Sequence, residues 1–165
     1  MDRCTWVGID KIYQDYHDME WGVPEYDSRA LWEKLILDGF QAGLSWITIL
    51  KKRPAFRSAF AGFDPQEIAG WGAAEVEVLL QNRGIVRHRG KIEATISNAQ
   101  AYLRLAEEMP FSDRMWAYVD GRPIVAGYET LAQVPTQSPL SQKISKDLKA
   151  AGFKFCGPTI VYAWM

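Results

Sequence analysis

The sequence predicts an all-α protein, a single compact helical domain over residues 1–165, and three observations carry that expectation. Apolar residues recur at helical spacing through most of the chain. Ser, Asp, Gly and Pro punctuate those stretches as helix starts and stops. Only Tyr118 to Val125, around Asp120-Gly121, resembles a hairpin, and it is short. A chain of 165 residues, 48% of them hydrophobic, can bury one substantial core and is short for two.

The helices follow in order. One runs from Ser28, a plausible cap, to Asp38, with Leu31, Trp32, Leu35 and Ile36 as its apolar stripe and Gly39 as its end. A second runs from Ser45 to Lys52 and ends before Pro54, with a short turn from Pro54 to Ala61. At Asp64-Pro65-Gln66-Glu67 the aspartate caps, the proline fits the first helical position and Glu67 completes a capping box. Further helices span Ala73 to Gln81 and His88 to Glu108, the latter with Ile92, Ile96, Ala99 and Leu103 on one face. Ser112 to Val119 and Ser141 to Ala151 follow, the last stopped by Gly152.

Charge and cysteine usage exclude several classes of function. Nineteen Lys and Arg against 20 Asp and Glu leave a net charge of −1, so no global field draws the molecule to nucleic acid or an anionic membrane. Any nucleic-acid binding must come from a local patch. Cys4 and Cys156 stand far apart without a C-x-x-C pair, which excludes a disulfide framework and a self-contained cysteine zinc knuckle; a reducing cytoplasm is expected. Met1-Asp2-Arg3-Cys4 opens no apolar signal core, and no stretch approaches the roughly 18 apolar residues of a membrane span.

Three constellations point to chemistry. Half of the 14 Trp and Tyr lie within the first 46 residues: Trp6, Tyr13, Tyr16, Trp21, Tyr26, Trp32 and Trp46. Such rings line a pocket for a planar ligand as readily as they fill a core. Trp32 belongs to an apolar stripe, whereas Tyr16, Trp21 and Trp46 lie in or beside polar, loop-like sequence. Next to Trp46, the small residues of Asp38-Gly39-Phe40-Gln41-Ala42-Gly43-Leu44-Ser45 let a backbone approach a ligand. Asp38 offers an acceptor, Gln41 a two-way amide and Trp46 a stacking ring, the set a nucleobase pocket needs.

The other two constellations are basic. Arg83, Arg87, His88, Arg89 and Lys91 form the strongest positive run in a neutral chain, suited to phosphate contacts, although a solvated helix start explains any one of them. Lys51-Lys52-Arg53 could add a further contact. Leu148 to Ile160 reads as a basic helix end, a glycine-bounded hairpin and a new helix at Pro158. Backbone N–H groups at that start, with Lys149 and Lys154 beside them, suit a phosphate. Gly157-x-Thr159 resembles the helix-hairpin-helix element of DNA repair glycosylases, which grips the backbone without reading sequence. An ordinary helical hairpin explains the same pattern.

Five blocks then converge on one family. Cys4-Thr5-Trp6, Tyr16-His17-Asp18-x-Glu20-Trp21-Gly22-Val23-Pro24, Gln41-Ala42-Gly43-Leu44-Ser45-Trp46, Gly84-Ile85-Val86-Arg87-His88-Arg89-Gly90-Lys91-Ile92 and Gly152-Phe153-Lys154-Phe155-Cys156-Gly157 resemble the bacterial DNA-3-methyladenine glycosylase I family, in order and from Met1 to Met165. The resemblance implies a helix-hairpin-helix glycosylase fold and a monofunctional base-excision repair enzyme. That enzyme hydrolyses the N-glycosidic bond of N3-methyladenine in alkylated double-stranded DNA and releases the free base. It implies that Trp46 stacks on the base, that Tyr16 and the acidic position at 38 hydrogen-bond its edge, and that Trp6, Tyr13 and Trp21 wall the pocket. Gln41, Gly43 and Leu44 would lie at the gap left by the extruded nucleotide. Arg87, Arg89, Lys91, Lys154, Gly157 and Thr159 are the expected DNA contacts.

Two departures from the family pattern matter. The family places glutamate before Gly39, whereas this chain has Asp38, one methylene shorter, which leaves room for an intervening water. The family also carries a zinc snap, with a Cys and a His near the N-terminus and a His and a Cys in a C-terminal segment. Cys4 and His17 match the first pair, so Zn2+ is an expected cofactor with two of its four ligands present. The sequence stops at Met165, just where that segment would begin, and neither His88 nor Cys156 lies at a matching position. These departures motivate a competing reading, a non-catalytic binder of alkylated DNA or of free alkylated base. A monomer is expected.

Overall fold

The computed structural model describes residues 3–165. Its described residues form α1 (Lys11–Met19), α2 (Ser28–Gln41), α3 (Trp46–Ala59), α4 (Pro65–Ile68), α5 (Ala73–Gln81), α6 (Arg89–Glu108), α7 (Phe111–Trp116), α8 (Pro139–Ala150) and α9 (Pro158–Trp164). Single 3-10 turns join some of them, and no β-strand occurs among the described residues. The all-α expectation holds.

Two helices organise the rest. The α6 helix, 20 residues long, buries Ile92, Ala94, Thr95, Ile96, Asn98, Ala99, Ala101 and Tyr102, with α4 and α5 against it. The α2 helix packs against α3, α6, α7 and α9 and buries an unbroken run from Leu35 to Phe40. Trp32, Phe40, Phe56, Phe60, Phe63 and Phe111 are the largest side chains with essentially no exposure. Each such ring removes enough apolar area to contribute about 1.5–3 kcal/mol. Phe40, Phe56, Phe60 and Phe63 pack in series, with centroids 4.7 Å apart for Phe40–Phe56 and 5.8 Å for Phe60–Phe63.

Several helix limits follow their local chemistry. Asp64 accepts from the Gln66 and Glu67 backbone N–H groups at the start of α4, and His88 accepts from the Lys91 N–H at the start of α6. The span Ala73–Gln81 forms as expected. Others move for tertiary reasons. Asp27, not Ser28, caps α2, accepting from the Ala30 N–H at 2.8 Å; the Ser28 hydroxyl instead accepts from the Ser112 N–H and ties α2 to α7. Pro54 does not stop α3, because Phe56 and Phe60 beyond it are wholly buried against Phe40. The hairpin at residues 118–125 is absent. Asp120 and Gly121 take the left-handed turn conformation their sequence favours, but the turn closes onto the Trp116 carbonyl and ends a helical segment.

Gly39 also fails as a stop, and its role is different. The helix runs through it to Gln41, and a β-carbon there would stand 3.1 Å from the Phe155 carbonyl oxygen and 3.3 Å from the Phe155 β-carbon. The missing side chain lets α2 lie directly on the turn between α8 and α9. That turn is held from below by Asn98, which donates to the Lys154 carbonyl at 3.1 Å and accepts from the Lys154 N–H at 2.7 Å. Ser145 adds a bond to the Cys156 carbonyl at 2.6 Å. We expect Gly39→Ala to lower stability by about 1–3 kcal/mol through overpacking, even though alanine is the better helix former. A denaturant midpoint equal to or above that of the unaltered protein would contradict this account of the glycine.

Candidate active site

The aromatic residues expected to surround a ligand come together. Tyr16 on α1 and Trp46 at the first position of α3 have ring centroids 5.4 Å apart. Trp6 stands 4.8 Å from Tyr13, 6.5 Å from Tyr16 and 5.4 Å from Trp21, centroid to centroid. These five rings form one continuous cluster where the amino-terminal segment folds back across the start of α3. Tyr16 and Trp46 are buried, while Trp21 is half exposed at the rim. The Trp46 indole N–H is buried without a hydrogen-bond partner.

Asp38 lies behind this cluster on α2, its side chain only 2% exposed. Burial pushes its carboxyl above the usual carboxylate range, and the Lys34 ammonium opposes that rise. Lys34 stands one turn earlier on α2 and donates to both carboxylate oxygens, at 2.8 and 2.7 Å. The same ammonium lies 4.3 Å from the centroid of the Trp46 ring, over its face. One cation is thus bound at once by a buried carboxylate and an indole. The Tyr16 phenol is raised well above its ordinary value by burial and by the Asp38 charge, so it stays protonated and able to donate. Lys34 was not anticipated from the sequence, although its four-residue spacing from Asp38 on one helix was the available signal.

Asp18 and Glu20, acids beside the aromatic cluster, are already committed. The Asp18 carboxylate takes hydrogen bonds from Arg3 and His17, which hold it well below the usual range. Glu20 is clasped by Arg53 at 2.5 and 2.7 Å and is likewise held low. Both brace the amino-terminal segment against its neighbours.

The expected DNA contacts divide. Gly43, Leu44 and Ser45 form an exposed turn before α3, with Gly43 at φ 82° and the Leu44 N–H bonded to the Gln41 carbonyl. Gln41 is half-buried at the end of α2. Arg87, Lys154 and Thr159 are exposed, and Gly157 caps α9. Arg89 is exposed but paired with Glu77 at 2.6 Å and, more loosely, Glu93 at 3.7 Å, so it must exchange those partners before it can meet a phosphate.

Lys91 is a correction. It is buried, and its ammonium donates to the Phe40 and Ala42 carbonyls at 2.9 and 2.6 Å. It closes the carboxyl end of α2, where orphan carbonyls favour a cation, and is unavailable to DNA. Lys51, Lys52 and Arg53 are likewise engaged, with Asp10, with the Arg83 and Gly84 carbonyls, and with Glu20.

Cys4 and His17 lie side by side. The Cys4 backbone N–H points at His17 Nε2 at 3.4 Å, while His17 Nδ1 bonds to Asp18 at 3.0 Å. An imidazole oriented this way by a carboxylate suits metal ligation. Among the described residues, however, no cluster of three or more metal-ligating side chains exists, so the set does not complete a tetrahedral site. Cys156 is buried elsewhere, its thiol pushed up to about 11 by burial.

A methyladenine glycosylase family model matches residues 6–165. The chain belongs to the methyladenine glycosylase family. It is 51% identical over 164 residues to the DNA-3-methyladenine glycosylase of Haemophilus influenzae, covering 99% of this chain and 89% of that one. A crystal structure of 3-methyladenine DNA glycosylase I matches with a TM-score of 0.97 and 52% identity, over 99% of this chain and 91% of that one. A Tyr→Phe variant of 3-methyladenine DNA glycosylase I in complex with 3-methyladenine matches with a TM-score of 0.96 and 41% identity, over 99% and 89% of the two chains. Within this family member, no described helix is long and apolar enough to cross a membrane.

The two cationic residues on the same strip of chain should behave oppositely. Lys91→Met leaves carbonyls buried without a donor and is expected to cost about 1–3 kcal/mol of stability. Arg87→Glu should leave the denaturant midpoint unchanged and weaken DNA binding, with a salt slope shallower by about one. Equal effects of the two substitutions on DNA binding, in folded proteins, would contradict this division.

Proposed function

We propose that this protein is a monofunctional DNA glycosylase that hydrolyses the N-glycosidic bond of N3-methyladenine in alkylated duplex DNA and releases the base. The observation that carries the reading is the pairing of the buried Asp38 carboxylate with the face of Trp46 around a cation. Methylation at N3 places a positive charge on adenine, and this pocket accepts positive charge. Each well-placed ring contributes about 0.5–2 kcal/mol toward a cation, an attraction that ordinary adenine forgoes.

Charge also sets the mechanism. The cationic base is a good leaving group: as the C1′–N9 bond breaks, its electrons neutralise the ring, and an oxocarbenium-like sugar is left for water. Little proton donation is required. Asp38 holds the base edge, directly or through a water, and stabilises the developing charge without attacking C1′. Tyr16, held protonated, donates to the base, and Trp46 stacks on it, with Trp6, Tyr13 and Trp21 closing the pocket. Extruding a base costs a few kcal/mol, less for a damaged pair, and stacking of about 1–3 kcal/mol on Trp46 offsets much of it.

The DNA is held by exposed backbone and charge. The Gly43-Leu44 turn fills the gap left by the base, while Arg87, Arg89, Lys154, Gly157 and Thr159 meet phosphates. Cys4 and His17 would supply two donors for Zn2+.

The direct test is release of free 3-methyladenine from methylated duplex DNA by the folded protein. Release is expected, and Trp46→Ala should lower kcat/KM by roughly 5- to 150-fold, the loss of one stacked base. Binding of methylated DNA without release, in the unaltered protein, would overturn the catalytic reading.

A further inference from the structure

The Lys34 ammonium lies between the Asp38 carboxylate and the face of Trp46, the place where the proposed function seats the cationic base. Its ammonium is 2.7 Å from Asp38 and 4.3 Å above Trp46, and its side chain is 27% exposed, so it has a route into water. A lysine tether of four methylenes turns readily, and the ammonium is strongly hydrated once outside. Two cations cannot both contact the Asp38 carboxylate and the face of Trp46 at such distances without strong mutual repulsion. Base and lysine are therefore alternatives.

We propose that Lys34 is a tethered competitor for the base pocket, a specificity and product-release residue. In the free protein its ammonium satisfies Asp38 and covers Trp46; a cationic alkylated base displaces it; after cleavage it returns and expels the neutral base. The inference rests on the reading of the protein as an N3-methyladenine glycosylase.

The direction of exchange follows from charge balance. Before cleavage the base carries the positive charge that Asp38 requires, and it adds stacking on Trp46, so Lys34 can leave without orphaning the carboxylate. Breaking C1′–N9 sends the bonding pair to the base and removes that charge. Water adds to the sugar carbon and its proton goes to solvent. A neutral base then lies beside a buried carboxylate with no counter-ion, the least favourable state for Asp38. The nearest cation is Lys34, on the same helix. An ordinary neutral adenine meets the same barrier on entry, since it would have to dislodge Lys34 and leave Asp38 unpaired. The lysine thus rejects the undamaged base and clears the product by one exchange, because its affinity for the site differs between the charged and neutral states of the ligand.

The experiment uses tryptophan fluorescence to measure binding of free 3-methyladenine to the unaltered protein, Lys34→Met and Lys34→Arg. Lys34→Met should bind the neutral base at least about fivefold more tightly, with a matching fall in its inhibition constant against excision. Lys34→Arg, which keeps the cation, should stay within about twofold of the unaltered protein. Equal affinity in all three, or tightening by arginine as much as by methionine, overturns the proposal.

A second measurement needs no substitution. Lys34 in the unaltered protein is acetylated with an amine-specific reagent and quantified by peptide mass spectrometry, with and without saturating 3-methyladenine. Labelling should rise at least about threefold as the base drives the amine into solvent, and unchanged or slower labelling overturns the proposal. Excision from methylated DNA runs alongside. Failure of excision overturns the glycosylase reading and this inference with it, whereas excision with no response at Lys34 overturns this inference alone.

Discussion

The structure turns on a carboxylate that cannot be left alone. Asp38 sits on α2 with almost no exposure, where burial alone would favour its neutral form. Taking a charge out of water costs several kcal/mol unless a partner stands beside it. Among the described residues its side-chain hydrogen bonds come from one partner, the Lys34 ammonium held against Trp46. In the proposed function, whatever enters must bring positive charge or leave the Lys34 ammonium in place, and that condition would separate an alkylated purine from an ordinary one.

The remainder of the fold fixes the place where this demand is met. Gly39, adjacent to Asp38, lets α2 touch the turn between α8 and α9, while Lys91 closes the same helix end by binding the Phe40 and Ala42 carbonyls. Asn98, about two turns further along the same face of α6, anchors the Lys154 backbone. The buried polar line Lys91, Thr95 and Asn98 therefore joins the end of α2 to the turn between α8 and α9 through short, directional bonds. On the other side, Arg53 and Arg3 clamp Glu20 and Asp18, so the segment bearing Trp6, Tyr13, Tyr16 and Trp21 is pinned over Trp46. The two acids nearest the rings hold the wall in position, and in the proposed function Asp38 is the carboxylate that meets the base.

Much of this was legible in the sequence, for identifiable reasons. The helix start at Asp64 was readable because its side-chain cap bonds within three residues, whereas at His88 the start was placed but the cap was not foreseen. The aromatic cluster was readable as a group of residue types near one end. Gly39 and Pro54 misled because each reports a local preference that tertiary packing overrode: Phe155 needs the space beside Gly39, and Phe56 with Phe60 hold the chain helical beyond Pro54. Lys91 was misassigned since its partners are 49 and 51 residues away, and its neighbours Arg87 and Arg89 are true surface cations. Lys34 was overlooked although its partner lies one turn away; the spacing was visible, but the burial that gives the pair its force was not.

The claim that the pocket recognises charge ahead of shape is tested most directly by calorimetric binding of two ligands of nearly equal size. One is 3,9-dimethyladeninium, a permanent cation with a methyl group in place of the sugar. The other is its neutral isostere, with carbon replacing N3. The account predicts that the cation binds at least about tenfold more tightly, a difference near 1.4 kcal/mol. Equal affinities, or a preference for the neutral ligand, would contradict it.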